Sequence, residues 1–227
     1  MDQKFHFSRG DGLRNTCDHL NQWRKIFENS IALDEIVEIK AGLQAYEKGK
    51  GIPKQTEEDV KNRPYDYTYK FDEETYKYLE GNNVVRYSIN WSGQYLKYGE
   101  NLAAPRSVEL FNGKKIIIRE ITGAFPKNII STYTEEFYLY NRSNIGIIEK
   151  ENKKIDLKYI LVVLNSTLIS YYFMKNTAKS VRKLFPKIIL NDLRKFPFKE
   201  ISLKEQQPFI EKANKILTLN KELQEIL

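Results

Sequence analysis

The hydrophobic pattern of this 227-residue chain changes period near Ile155, and that switch constrains the fold more than any other feature. Between residues 83 and 148, short runs rich in β-branched and aromatic side chains (84–89, 115–121, 135–140 and 145–148) alternate with Gly93, Gly99, Gly113 and Gly123. Runs of this kind, bounded by glycine, predict strands joined by turns. Lys115-Ile116-Ile117-Ile118-Arg119 reads as a central strand, charged at both ends. Beyond Ile155 the apolar residues fall at helical spacing. Asp156 is placed to cap a helix over 157–164, and Asn165 or Ser166 to cap a second over 167–175. Ser202 with Glu205 forms a capping box that opens a third helix. Its apolar stripe runs through Phe209, Ala213, Ile216, Leu217, Leu223 and Ile226. The expected fold class is α+β: a mixed, mainly antiparallel β-rich core followed by C-terminal helices.

The rest of the chain completes a three-part division. Residues 1–30 read as an N-terminal tail or a linker from an upstream domain, with an amphipathic helix as an alternative for 20–27. Residues 31–155 form the β-rich region, and 156–227 the helical region packing on it. Within the β-rich region, 31–41 fits a strand or a short helix. Residues 47–66, rich in Gly, Pro and charge, predict a long irregular loop with a short helix at 57–61.

Composition narrows the function. No apolar run is long enough to cross a bilayer, and the first residues lack the apolar core of a signal peptide. Cys17 is the single cysteine, which rules out an internal disulfide and suggests a reducing, cytoplasmic setting. With only His6 and His19 beside it, a zinc site is not expected, and nothing orients Cys17 and His19 as a nucleophile and base. Glu38-Ile39-Lys40 has the form used by metal-dependent nucleases. Such a site needs a further carboxylate from a neighbouring strand, and neither Asp34 nor Asp18 is placed to supply it. Asn62-Arg63-Pro64-Tyr65 approaches the Asn-Pro-Pro-Tyr loop of amino-methyltransferases, but Arg63 replaces the first proline. No strand leading into a glycine turn and a helix accompanies it. This chain alone is therefore expected to be non-catalytic, with no cofactor and no metal of its own.

Positive charge points elsewhere. The net charge is +7, which favours a polyanionic partner. Between residues 175 and 199, Lys175, Lys179, Arg182, Lys183, Lys187, Arg194, Lys195 and Lys199 face a single acid, Asp192. A second cluster interleaves cations with aromatics: Arg86, Tyr87, Trp91, Tyr95, Lys97 and Tyr98, followed by Arg106, Lys114, Lys115 and Arg119. Arginine forks suit guanine edges and phosphates, and tyrosines suit stacking. The loop over 122–131 carries Lys127 and Asn128, both suited to groove contacts. Double-stranded DNA is the expected partner. The alternatives are a protein-interaction module built on the C-terminal stripe and, less favoured, a nuclease using Glu38 and Lys40.

The order of several short motifs carries a family resemblance. Ile36 to Gly42, Gly81-Asn82-Asn83-Val84-Val85-Arg86-Tyr87, Pro105-Arg106 with Lys114 to Arg119, Leu164-Asn165-Ser166, and Asn191 to Pro197 with Glu205-Gln206 follow one another as in TaqI-like C-terminal specificity domains. These are the target-recognition domains of type IIG restriction–modification enzymes and adenine-specific DNA methyltransferases, related to type I specificity subunits. Asn83 stands where that family usually has Asp, and Val84 where it has Ile. The resemblance implies a DNA target-recognition module that clamps duplex DNA against a methyltransferase catalytic domain lying elsewhere in a larger parent. S-adenosylmethionine, with magnesium for any cleavage, would belong to that parent.

Overall fold

The computed structural model describes residues 27–177 and 186–226. The expected helix over 20–27, along with Cys17, His6 and His19, lies outside the described residues, apart from Phe27. The fold is α+β, with two four-stranded sheets, and every strand pair is antiparallel except one.

The first sheet has the order β2 (Val37–Ala41), β11 (Asn144–Glu149), β8 (Lys115–Arg119), β9 (Ser131–Thr134), antiparallel throughout. Strand β8 explains why its sequence is an unbroken isoleucine run rather than an alternating one. Ile116 and Ile118 face one apolar core and Ile117 faces another, and all three are fully buried. Side chains alternate across a sheet, so only a strand covered on both faces favours apolar residues at every position. Burial of each isoleucine stabilises the fold by about 2 kcal/mol.

One core fills the space between this sheet and the helices α3 (Leu157–Leu164) and α4 (Thr167–Asn176). The other lies under the second sheet, ordered β10 (Leu139–Tyr140), β4 (Thr75–Leu79), β7 (Tyr95–Lys97), β3 (Asp66–Tyr67). Its single parallel pair is β10 with β4. Gly146 of β11 makes room for this second core: a Cβ there would lie 2.0 Å from the Tyr140 hydroxyl. That hydroxyl donates to the Leu110 carbonyl at 3.0 Å.

Several boundaries differ from the sequence expectation for identifiable reasons. The run 84–89 is two strands, β5 (Val84–Val85) and β6 (Ser88–Ile89), folded on each other with Arg86 and Tyr87 at the bend. Tyr87 has φ +61°, a left-handed conformation no strand continues through. The run 31–41 is both alternatives at once: β1 (Ile31–Ala32), α1 (Leu33–Ile36), then β2. In 135–140 only the last two residues are strand, because the partner of β8 is β9, inside a stretch read partly as loop. Helix α2 (Glu57–Asn62) forms as expected, capped by Thr56. Strands β3 and β4 lie where no strand was expected.

At the C-terminal end, Phe196 and Phe198 bury their rings in the core, and β12 (Pro197–Phe198) pairs with β1. Proline is tolerated there because the ladder is a two-stranded edge. α5 (Leu190–Arg194) precedes it, and α6 (Leu203–Ile226) follows from the expected Ser202–Glu205 capping box. Helix α6, about 36 Å long, packs on α3 through Phe209, Ala213 and Leu217. Leu223 and Ile226 of its expected stripe are exposed instead. Among the described residues, no single helix is long and apolar enough to cross a membrane, and the α3–α4 pair bends by 64°.

Candidate nucleic-acid interface

One end of the first sheet gathers cations from distant parts of the sequence. Strand β8 finishes at Arg119, opposite Asn144, where β11 begins. The turn before β11 carries Arg142, and Glu120 donates its amide to the Ser143 carbonyl at 2.8 Å. Strand β2 ends at the same level, and Gly42 continues it by donating to Asn144. Arg106 reaches this corner with Nε 3.3 Å from the Gly42 carbonyl. Its own φ of +65° turns the chain there. Arg142 donates to Gln44 Oε1 at 2.8 Å.

The loop between β8 and β9 rises from this end. Residues 120–122 pair with residues 186–188 as a short ladder: Thr122 donates its amide to Pro186 at 3.0 Å and Ile188 donates to Glu120 at 2.9 Å. Lys187 sits in that ladder and forms an ion pair with Glu120 at 3.1 Å. The tight turn that follows exposes Lys127. Arg119, Lys127, Arg106, Arg142 and Lys187 thus lie at or beside this end of the sheet, with Glu120 paired to Lys187 and Glu47 accepting from the Gln44 side chain that Arg142 also contacts. Neither Arg119 nor Lys127 has a side-chain ion pair or hydrogen bond among the described residues. Unpaired, solvent-reaching cations over a rigid sheet create the field that attracts phosphates and leave forks free for base edges.

The other expected site residues take different positions. Arg86 is tied to the backbone: its guanidinium donates to the Ile129 carbonyl at 3.1 Å and to the Asn165 carbonyl at 2.7 Å. Burial pushes its pKa down from the usual arginine range. Tyr87 is half-buried against the helical core, and its amide donates to Ser131 at 3.0 Å. Desolvation raises its phenol pKa. Asn128 is buried; its amide donates to Ser170 Oγ and its side chain to the Gly123 carbonyl, each at 3.1 Å. Trp91 packs on the second core, donates to Gln94, and lies under the Lys77 ammonium. Lys97 is committed to Asp72 at 2.7 Å, with Glu74 at 3.5 Å. Lys114 is exposed, but at the opposite end of β8 from Arg119, roughly 17 Å away along the strand. Its neighbour Lys115 is fully buried, donating to the Gly113 and Glu136 carbonyls. Burial pushes that ammonium down to about 8. Lys175 is exposed on α4, over the Tyr171 ring. Lys179, Arg182 and Lys183 lie outside the described residues, though their flanks do not: Ser170 on α4 holds Asn128, and Pro186 holds Thr122.

Arg142 went unread in the sequence. Its signal was there, a lone cation in an Asn-Arg-Ser turn between two strand candidates, but its neighbours in space were not visible.

The two catalytic decoys have structural roles. Glu38 and Lys40 share one face of β2 and pair with each other at 2.6 Å. No group of three His, Cys, Asp or Glu that could hold a metal occurs among the described residues. Arg63 caps α2 with φ +51° and pairs with Asp66 and Glu80, while Tyr65 stacks on Tyr46.

The short motifs also act as joints. Asn83, standing where an acid was expected, is buried and accepts from the Glu80 amide at 2.7 Å. It also donates to the Asn90 carbonyl at 2.8 Å, a bond an aspartate cannot make. Asn165 ends α3 and exchanges two hydrogen bonds with Ser131, both at 2.9 Å, and Ser166 caps α4. Gln206 is fully buried and holds three backbone groups.

A family model described as the TaqI-like C-terminal specificity domain matches residues 76–198. The chain is 29% identical over 136 residues to a Methanocaldococcus jannaschii protein named "Putative type II restriction enzyme and methyltransferase RM.MjaORFECS2P". That match covers 59% of this chain and 11% of the relative, so this chain spans about a tenth of the relative's length. Among solved structures, a chain of a type I R-M system is similar at TM-score 0.50 and 11% identity, over 94% of this chain and 47% of that one. The HsdS subunit from Thermoanaerobacter tengcongensis is similar at TM-score 0.48 and 11% identity, over 94% of this chain and 49% of that one.

Proposed function

We propose, because this chain belongs to the TaqI-like C-terminal specificity domain family, that it is a DNA target-recognition module of a restriction–modification system and reads duplex sequence for a catalytic domain. The observation that carries this reading is the cationic sheet end, where Arg119 at the end of a doubly covered strand and Lys127 on the turn beyond it have no side-chain partner among the described residues. The parent's chemistry is part of the same proposal: adenine methylation using S-adenosylmethionine, with magnesium where the parent also cleaves, in the cytoplasm. In this proposal the cofactor is held by the parent's catalytic domain.

Side chains divide by position. Arg119 and Lys127, on the sheet end, are the base readers. Arg106, Arg142 and Lys187 hold phosphates around them, and exposed Lys175, with Lys179, Arg182 and Lys183 of the basic segment, extends the phosphate track. Arg86, Tyr87 and Asn128 position the loop that presents Lys127.

Gel-shift titration of the chain against random duplexes at rising salt tests the proposal. Binding is expected to weaken steeply as salt rises. Arg119→Ala and Lys127→Ala are expected to change which sequences are selected, by about 1–3 kcal/mol at the affected position. Lys175→Ala is expected to weaken all sequences equally. An absence of salt-sensitive binding at low ionic strength defeats the proposal.

A second reading, association with another protein surface through α6, draws on one observation: Leu219, Leu223 and Ile226 are exposed along that helix. Light scattering of a Leu219→Glu, Leu223→Glu variant tests it, with loss of association expected and an unchanged mass counting against it.

A further inference from the structure

The turn over residues 123–128 carries a side chain to which nothing above assigns a role. Phe125 is 49% exposed at its tip. The turn beneath it is closely built. Gly123 donates to the Asn128 carbonyl at 2.9 Å and Lys127 donates to Ala124 at 2.8 Å. A Cβ on Gly123 would lie 2.6 Å from the Lys127 carbonyl, so the turn is too tight for a side chain there. Asn128 closes the base twice, through its side chain to Gly123 and its amide to Ser170. Arg86 holds the next residue through the Ile129 carbonyl. Every polar device in the segment fixes the base of the turn, and none covers the ring at its tip. Phe125 has no ring partner among the described residues.

The surroundings decide what such a ring suits. It stands on the sheet end that carries Arg119, Lys127, Arg142 and Lys187. An isolated apolar ring set among cations fits a nucleic acid, whose phosphates take the cations while an unstacked base step takes the ring. A protein-docking surface requires a contiguous apolar patch. The other exposed large apolar groups among the described residues stand on other elements, among them Tyr69 and Phe71 beside β3, Leu168 and Met174 on α4, and Leu219 and Leu223 on α6.

We infer that Phe125 is a stacking wedge that enters the bound duplex at a base step, beside the base that Lys127 reads. The inference rests on the DNA-recognition reading. It adds that specificity comes partly from how easily the recognised step unstacks, and not only from hydrogen bonds to base edges.

The test uses the whole chain and duplexes it selects from a random pool, with 2-aminopurine placed in turn at each position of the selected site. Binding by the unmodified chain is expected to raise the fluorescence at one step. Phe125→Ala is expected to abolish that rise and weaken binding about tenfold. Phe125→Trp is expected to retain both, and thermal unfolding of the two variants, altered at an exposed tip, is expected to match the parent. If Phe125→Ala binds as tightly as the parent with the same fluorescence, the wedge is overturned while DNA recognition stands. If Phe125→Ala leaves DNA binding intact but abolishes association with another protein, the ring is a protein contact and the wedge is likewise overturned. If the unmodified chain shows no salt-sensitive DNA binding, the recognition reading itself falls.

Discussion

Lys115 and Gly146 show what single positions cost and contribute here. Lys115 is a buried ammonium with two carbonyl acceptors and no carboxylate in contact, so desolvation dominates and its pKa falls to about 8. The unfolded chain titrates this group near 10.4. The folded pKa is therefore the lower one. Below pH 8 both states are charged and the burial penalty is fully present; it is relieved as pH rises from 8 towards 10.4. Relative to Lys115→Met, which lacks this titration, the parent is expected to gain up to roughly 3 kcal/mol of stability across that window, measured by denaturant unfolding at stepped pH. Buried tyrosines with raised pKa, Tyr140 among them, act in the opposite sense at higher pH, but equally in both chains. At Gly146 the constraint is volume. Gly146→Ala drives a methyl into the Tyr140 hydroxyl and is expected to cost about 1–3 kcal/mol. Tyr140→Phe vacates that space, so the double variant is expected to lose less than the sum of the two single losses. Strict additivity in the unfolding free energies would refute this account of the glycine.

At the scale of elements, the joints between helices and sheet are polar side chains satisfying backbone groups that the turns leave unpaired. Gln206 is the clearest. From α6 it accepts the Asp156 amide at 2.8 Å and donates to the Lys154 and Ile201 carbonyls, so one side chain fastens three turns. Gln206→Ala is expected to destabilise the fold by about 2–4 kcal/mol through buried groups left without partners. Amide exchange is expected to rise first in α3 and α6, which share the joint, and uniform exchange across the chain would count against it. These joints were partly legible. The Ser202–Glu205 box, the cap at Asp156 and the strand at β8 are legible in the sequence, and the second cap is narrowed there to Asn165 or Ser166, because each follows from contacts within a few residues. The bend at Arg86 and Tyr87 was not, because the left-handed Tyr87 is held by Ser131, far along the chain.

Across the whole molecule, charge is distributed unequally between the two ends of the first sheet. Arg106, Arg119, Lys127, Arg142 and Lys187 mark one end. At the other, Glu135, Glu136, Glu149 and Glu151 are interspersed with Lys114 and Lys150. The named cations at the first end outnumber the acids beside them, which gives that end a positive local field. Replacing Arg106 and Arg142, both exposed, by Glu is expected to flatten the salt dependence of DNA binding by about 2 in log–log slope. Thermal stability is expected to change little, since both side chains reach solvent. Glu149→Arg at the far end is expected to leave the slope where it was. Equal effects from both ends would show that total charge, not its placement, governs binding.

What the sequence by itself determined was local: the switch from strand to helix near Ile155, the helix caps, the central strand β8, and a basic balance suited to a polyanion. Each rests on periodicity, on hydrogen bonds within one turn, or on summed charge, which neighbouring residues suffice to specify. Only the tertiary structure decided which cations are free. Arg86, Lys97, Lys115 and Arg119 look alike along the chain. Packing ties the first between two carbonyls, pairs the second with Asp72, buries the third and leaves the fourth without a side-chain partner among the described residues. The partners that make this difference come from residues distant in sequence, and only the folded backbone sets those distances.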